Sequence, residues 1–345
     1  MNFSKLKAGV SLLILVSIFS CTKEEMNLDN LSETIYLRHR QADMPAYVHG
    51  NASDKVFLIY LHGGPSGIGL EARINTMITE VEKNNAVVYF DQRGSGNSQG
   101  NYSEDDLSID AMADDVLALV KVLQAKYGDD AKFFLMGASW GGALGPATLF
   151  KEQEAFLGWI DVAGTHSPKD LYDEYQIVLK EKANAQIALG NSIPHWEGVL
   201  ELIQSVGSSF SHEDFSKLNG KAHESEMILA KDMVINEPQY LDENGAAQRF
   251  ATRNNLETVI ILTRKRGLFR DVSFTDRLPE ITIPSLILWG KHDLVVPTRF
   301  AQEAFDHLGS DHKELFIFER TGHSPLESEP GPFADKVIAF INEYR

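Results

Sequence analysis

The run Lys132-Phe133-Phe134-Leu135-Met136-Gly137-Ala138-Ser139-Trp140-Gly141-Gly142 carries the strongest signal in the chain. Its first half, 132–136, is almost wholly apolar and predicts a strand buried on both faces, since a half-exposed strand would alternate. A serine in the pattern G-x-S-x-G follows at once, and an amphipathic stretch over 140–151 predicts a helix. A strand-to-helix turn that sharp leaves no room for side chains at 137 and 141 and strains the serine backbone. It also presents the Ser139 hydroxyl at the carboxyl edge of a sheet, at a helix N-terminus whose dipole favours developing negative charge. Ser139 is the candidate nucleophile.

The same alternation extends outward. Apolar runs at 56–61 (VFLIYL), 86–90 (AVVYF), 157–162, 285–289 (SLILW) and 314–318 (ELFIF) predict strands, with shorter ones at 34–39 and 46–48. Between them, 70–83, 108–126, 298–308 and 332–343 have helical periodicity. This predicts an α/β fold, a mostly parallel central sheet flanked by helices. From about 165 to 278 the rhythm stops, and long amphipathic helical segments replace it. We expect a core of 31–164 and 279–345, with 165–278 a helical cap inserted between two late strands.

A serine hydroxyl needs a base, and the base an orienting acid. The strand at 285–289 runs into Gly290-Lys291-His292-Asp293, and that at 314–318 into Arg320-Thr321-Gly322-His323-Ser324. Asp293 and His323 each lie just past a strand, on the edge that carries Ser139. His323 is the candidate base and Asp293 the acid that fixes its tautomer. After the strand 56–61 comes His62-Gly63-Gly64-Pro65-Ser66-Gly67. Here the N–H of Gly64, or less favourably Gly63, is placed to join that of Trp140 as an oxyanion hole. Gly67-Ile68-Gly69-Leu70-Glu71-Ala72, with Asp91 about 20 residues on, imitates a dinucleotide fingerprint. That fingerprint starts at the strand end, whereas His62–Ser66 intervene here, so no cofactor is expected. The lack of an H-E-x-x-H pattern, the scattered histidines and the single cysteine argue against a metal site.

On these residues the chain from about 46 to 345 resembles an α/β-hydrolase, a family with the chain order serine, acid, histidine. Within that superfamily it is similar to the proline iminopeptidases. The marks are His62-Gly63-Gly64-Pro65-Ser66-Gly67, Asp91-Gln92-Arg93-Gly94-Ser95-Gly96-Asn97-Ser98, and Trp140 after the serine. Relatives commonly read HGGPG, DQRGSG and GGSWG, so Ser66 and Ala138 depart from the pattern. The resemblance implies a helical cap whose acids grip the free α-amino group of a peptide. Glu174, Glu213, Glu224, Glu226 and Glu243 lie there, and Glu197, Glu201 and Glu237 are taken as the candidate amine contacts. Arg93 is read as a structural partner of Asp91.

The chain has 345 residues and carries a net charge of −17, so its surface repels phosphate backbones and no nucleic-acid partner is expected. Lys5 and Lys7 precede an apolar run of ten residues, 10–19, too short for a bilayer, which needs about 20. This reads as a secretory leader over 1–20. Ile18-Phe19-Ser20-Cys21 resembles the lipobox of bacterial lipoproteins, in which the cysteine becomes the lipid-bearing N-terminus. Thr22-Lys23-Glu24-Glu25 looks like the signal that sends some lipoproteins to the outer surface of Gram-negative cells. Residues 21–30 are expected to be a tether, giving a membrane-anchored protein on the outer membrane.

Three functions compete: a serine aminopeptidase releasing N-terminal proline or another small residue from short peptides, a carboxylic ester hydrolase with the same triad, and a non-catalytic peptide-binding lipoprotein. Ser139 argues against the superfamily's dehalogenases and epoxide hydrolases, which use an aspartate nucleophile. An acidic anchor beside the serine favours peptide ends, and an all-apolar cap favours esters.

Overall fold

The computed structural model describes residues 27–74, 76–238 and 253–345. The expected leader, Cys21, and Tyr240 and Glu243 of the insertion lie outside them. Among the described residues no helix is long and apolar enough to cross a membrane.

The strands are β1 (Leu31–His39), β2 (Ala42–Gly50), β3 (Val56–Leu61), β4 (Ala86–Phe90), β5 (Gln99–Gly100), β6 (Lys132–Ala138), β7 (Gly158–Val162), β8 (Ser285–Gly290) and β9 (Lys313–Phe318). They form one sheet in the order β1-β2-β4-β3-β6-β7-β8-β9, with β5 paired to β2. β2 pairs antiparallel with both β1 and β4, and from β4 to β9 every pairing is parallel. β1 and β2 are longer than the runs expected there. β1 is an edge strand with Ser32, Thr34, Tyr36 and Arg38 exposed, so little of it shows as an apolar run.

The register sets the site. Leu61 pairs with Gly137, Ala138 with Val162 and Gly290 with Phe318, so the chain leaves β3, β6, β8 and β9 on one edge. At the opposite edge Leu31 pairs with Gly50, and Gly50 with Ala86 at the start of β4. Leu28 is already anchored there, its carbonyl accepting the N–H of Ala52 at 2.7 Å, and Ser53 Oγ donates to Asp29 Oδ1 at 2.6 Å. The fold therefore begins inside the expected tether, because these contacts tie 28–29 to the turn after β2.

The helices of the core are α1 (Thr76–Glu82), α2 (Ile109–Tyr127) and α3 (Gly141–Glu152). Between β7 and β8 come α4 (Leu171–Leu189), α5 (Ile193–Ser205), α6 (His212–Lys231), α7 (Arg253–Ile260) and α8 (Leu268–Asp271). Then follow α9 (Arg299–His307), α10 (Pro325–Ser328) and α11 (Pro330–Tyr344). Ser108 caps α2, its hydroxyl accepting the N–H of Ala111 at 3.2 Å. The helix expected over 70–83 is a 3₁₀ turn, Gly69–Ile74, followed by α1. Asp91 Oδ1 takes the Gly69 N–H at 2.7 Å, and the turn starts on that bond.

β6 shows why its sequence is continuous rather than alternating. Phe133 and Leu135 pack with Val116, Leu119 and Leu123 of α2 and Leu144 of α3 on one face. Phe134 and Met136 pack with Val337, Phe340 and Ile341 of α11 on the other. Trp196, Tyr175, Phe215 and Leu229 of the insertion join the α2 side.

Asp161, on β7 beside Gly137, is 3% exposed, and its Oδ1 has no hydrogen-bond partner among the described residues. Burial pushes its carboxyl up to about 8. Unfolded, the group titrates near 3.9, so between the two values the native state holds the extra proton and stability falls as pH rises. The slope in that window is about 1.4 kcal/mol per pH unit. Asp161→Asn should therefore raise the melting temperature by an amount that grows from pH 5 to pH 8. A constant difference across that range would show that Asp161 does not titrate in this way.

Candidate active site

Ser139 sits at φ +54°, a left-handed value that side chains other than glycine adopt only under constraint. The constraint is visible on each side. A Cβ on Gly137 would stand 2.3 Å from the Gly141 carbonyl oxygen, and one on Gly141 would stand 2.3 Å from that of Leu61. One on Gly142 would meet Gly164 Cα at 2.2 Å. The Ser139 N–H donates to Val162 O at 3.0 Å, and its carbonyl accepts from Gly142 N and Thr165 N at 2.8 and 2.9 Å. The turn is thus fastened to β7 and to α3.

Trp140 is buried and opens α3. Its indole N–H donates to Gln92 Oε1 at 2.8 Å, and Gln92 Nε2 donates to His62 O at 3.1 Å. One side chain from the Asp91–Ser98 loop therefore bridges the residue after the serine to the glycine loop after β3. A Cβ on Gly63 would lie 3.3 Å from Ser139 Cβ and 3.9 Å from its Oγ, and Gly64 adopts φ +135°. The glycine loop thus passes directly against the serine.

The acid past β8 is Asp293, 2% exposed, whose Oδ1 accepts from Val295 N at 2.9 Å and Val296 N at 2.7 Å. Its Oδ2 lies 2.9 Å from His323 Nδ1. Burial alone would lower the histidine, but the charge and hydrogen bond of Asp293, with Glu226 and Glu327 beyond, outweigh it and raise His323 above its ordinary value.

Two hollows of about 410 Å³ meet at Ser139. One lies under the insertion, between Tyr175, Phe215, Asn219, Val259, Arg264 and Phe269. Phe215 and Phe269 stack at 4.2 Å there, and no acidic side chain among the described residues lines it. The second runs past the glycine loop to His323 and holds Glu71 and Glu327, with no lysine or arginine among its described lining. Burial, then the backbone around it and the charge of Glu71, leave the Glu327 carboxyl at about 7. Glu71 is raised by the same desolvation. Glu327 Oε2 has no hydrogen-bond partner among the described residues. His223 of α6 borders both hollows, its ring 6.2 Å from that of His323, and burial followed by the His323 charge lowers it to about 4.

The structure thus brings Ser139, His323, Asp293, Gly64 and Trp140 to one edge and leaves the three expected amine contacts away from it. Glu197 and Glu201 are exposed on α5, on the side opposite the buried Trp196 and Val199. Glu237 is exposed beyond α6. None of the three lines either hollow. Arg93 pairs with Asp115 rather than Asp91, at 2.6 and 2.8 Å, and donates to the carbonyls of His39 and Arg40. Asp91 instead accepts from Gly69 N, in the turn after the glycine loop, and from Asn97 N of its own loop. Glu327 carries no role in the sequence reading, Glu71 and Gln92 appear there only within quoted motifs, and Glu226 is one of several cap acids with no contact assigned. Glu327 follows His323 by four residues and Gln92 lies within the quoted Asp91–Ser98 motif, so those two had a local signal.

The family model described as serine aminopeptidase, S33, matches residues 55–330. The protein named "Probable aminopeptidase YbaC" of Bacillus subtilis (strain 168) is 26% identical over 295 residues, 81% of this chain and 86% of that protein. A proline iminopeptidase of Thermoplasma volcanium is 25% identical over 295 residues, covering 84% of this chain and 90% of its own. The crystal structure of proline iminopeptidase from Mycobacterium smegmatis superposes with a TM-score of 0.58 at 19% identity, over 90% of this chain and 98% of that one. With its largely parallel sheet and helical insertion, the chain has the α/β-hydrolase fold and belongs to the serine aminopeptidase family S33.

Proposed function

We propose that this serine hydrolase acts through Ser139, His323 and Asp293 on peptides with a free amino terminus, with N-terminal proline preferred. The Asp293–His323 contact engages Nδ1, which leaves Nε2 to take the Ser139 proton as Oγ attacks the carbonyl. The imidazolium so formed is stabilised by Asp293 and then protonates the leaving amine as the scissile C–N bond breaks. Water, deprotonated by the same nitrogen, hydrolyses the acyl-serine. The N–H groups of Gly64 and Trp140 receive the oxyanion.

The observation that carries the substrate reading is the second hollow. Two carboxyls, half-buried Glu327 and exposed Glu71, share it with Ser139 and His323, with no lysine or arginine among its described lining, so a substrate ammonium supplies a counter-charge. On this reading the core provides an amine anchor. Phe215 and Phe269 offer an apolar wall to a proline ring, and the relatives named proline iminopeptidases support that preference. The hollow under the cap, with no acid among its described lining, favours a second reading, a carboxylic ester hydrolase with the same triad.

The two readings separate on kcat/KM for an unblocked prolyl anilide, its amino-blocked twin and a short-chain nitrophenyl ester. We expect strong preference for the unblocked anilide, with Ser139→Ala lowering turnover on the order of 10⁴-fold or more. Glu327→Gln should raise KM for the unblocked anilide about tenfold, ~1.4 kcal/mol, and leave the ester unchanged. Because Glu327 must be ionised to hold an ammonium, that KM should also rise as pH falls below about 7. Ester cleavage alone would move the protein to the esterases, and blocked and unblocked anilides cleaved alike would remove the amine anchor.

We further propose that the chain is exported and lipid-anchored through Cys21, on the basic start, short apolar run and lone cysteine of its first 21 residues. Cys21→Ser should move the protein from the membrane to the soluble fraction and abolish fatty-acid labelling. A variant still bound to membranes would exclude this anchor.

A further inference from the structure

Glu226, on α6 of the insertion, reaches out of the cap and into the core. Its Oε1 accepts the N–H of Leu294 at 2.7 Å, one residue past the acid, and its Oε2 accepts the N–H of His323 at 2.8 Å. The fit is close enough that a Cβ on Gly322 would stand 2.2 Å from Oε2. Two other cap contacts land on the same loop. Tyr175 of α4 donates to Val295 O at 2.8 Å, and Lys182 of α4 lies 3.0 Å from His292 Nδ1. The residues on both sides of Asp293, at 292, 294 and 295, are thereby matched to cap side chains.

We propose that Glu226 is a positioning residue: its carboxylate, delivered by the cap, ties the acid loop to the histidine loop and so sets the geometry of the Asp293–His323 pair. This rests on the reading of Ser139, His323 and Asp293 as the triad. Two backbone donors face Glu226, and only a carboxylate offers two acceptors in that span. An amide or a protonated acid would turn a donor toward one of the N–H groups. The clamp therefore requires the ionised form, although burial and the neighbouring Asp293 charge push the Glu226 carboxyl up to about 7. The groups that face this pair are Asp293 from the β8 loop, Lys182 and Tyr175 from α4, His223 from α6 and Glu327 from α10. With its charge beside His323, Glu226 also helps to hold that imidazole basic. A cap that lifts away would take this carboxylate with it, so cap docking and triad assembly become one event.

The test uses the full chain in detergent and the rate of Ser139 phosphonylation by a fluorophosphonate from pH 5 to pH 9, which needs no knowledge of the natural substrate. Glu226→Gln should slow labelling between tenfold and about a hundredfold, the scale of a ~1 Å misplacement. It should also move the acid limb to lower pH, since His323 loses a neighbouring negative charge. Glu226→Asp keeps the charge and shortens the reach, so it should slow labelling with the limb in place. Glu226→Gln with an unchanged rate, or slower with an unmoved limb, overturns the proposal. If Ser139 of the unsubstituted chain is not labelled, the triad reading fails and this inference falls with it; a labelled parent beside an unaffected Glu226→Gln sinks the clamp alone.

Discussion

A serine held at φ +54° between β6 and α3 is the constraint on which the rest of the site depends. The backbone reaches that conformation because three glycines remove the side chains that would collide with Leu61 O, Gly141 O and Gly164. In exchange for the strain, the serine is held at the point where the chain turns from β6 into α3, against the glycine loop after β3. Everything else arrives by register. Once β3, β6, β8 and β9 are aligned in parallel, the glycine loop, Ser139, Asp293 and His323 all emerge at one edge without any long-range adjustment.

Charge is distributed around this point in an uneven way. The face under the insertion is aromatic and carries Arg264 and two histidines, whereas the acids among the described lining of the second hollow belong to the core segments after β3 and β9. The cap's own carboxylate, Glu226, turns away from both hollows and is absorbed by backbone amides. An insertion in such an enzyme is easily pictured as a lid that selects substrates. Here Glu226, Tyr175 and Lys182 reach the loops that carry Asp293 and His323, while Glu174, Thr258 and Lys265 tie the insertion to Arg299, Gly94 and Glu104 elsewhere on the core.

The parts of the site that were legible in the sequence are those fixed locally. Asp293 and His323 each follow a strand of largely apolar residues by a few positions, and Ser139 lies in a G-x-S-x-G turn directly after another. Helical periodicity also held information that a list of acids did not use. Glu197 and Glu201 are four residues apart on the side of α5 opposite Trp196 and Val199, so their outward direction was already written there. What could not be read was anything that depends on how one element docks on another. Arg93 finds Asp115 on α2 rather than the nearby Asp91, and Glu226 meets loops 68 and 97 residues away. Glu71 becomes part of the site only because the turn after the glycine loop folds back on the Asp91 carboxylate.

The hairpin of β1 and β2 has a bearing on orientation. Its register places Leu31 at the end of the sheet where β4 begins, and the contacts of Leu28 and Asp29 keep the chain there. Ser139 lies at the other end. The described chain therefore starts at the pole opposite Ser139. Under the proposed Cys21 anchor, a bilayer on that side would lie behind Ser139, with the two hollows facing the surrounding medium.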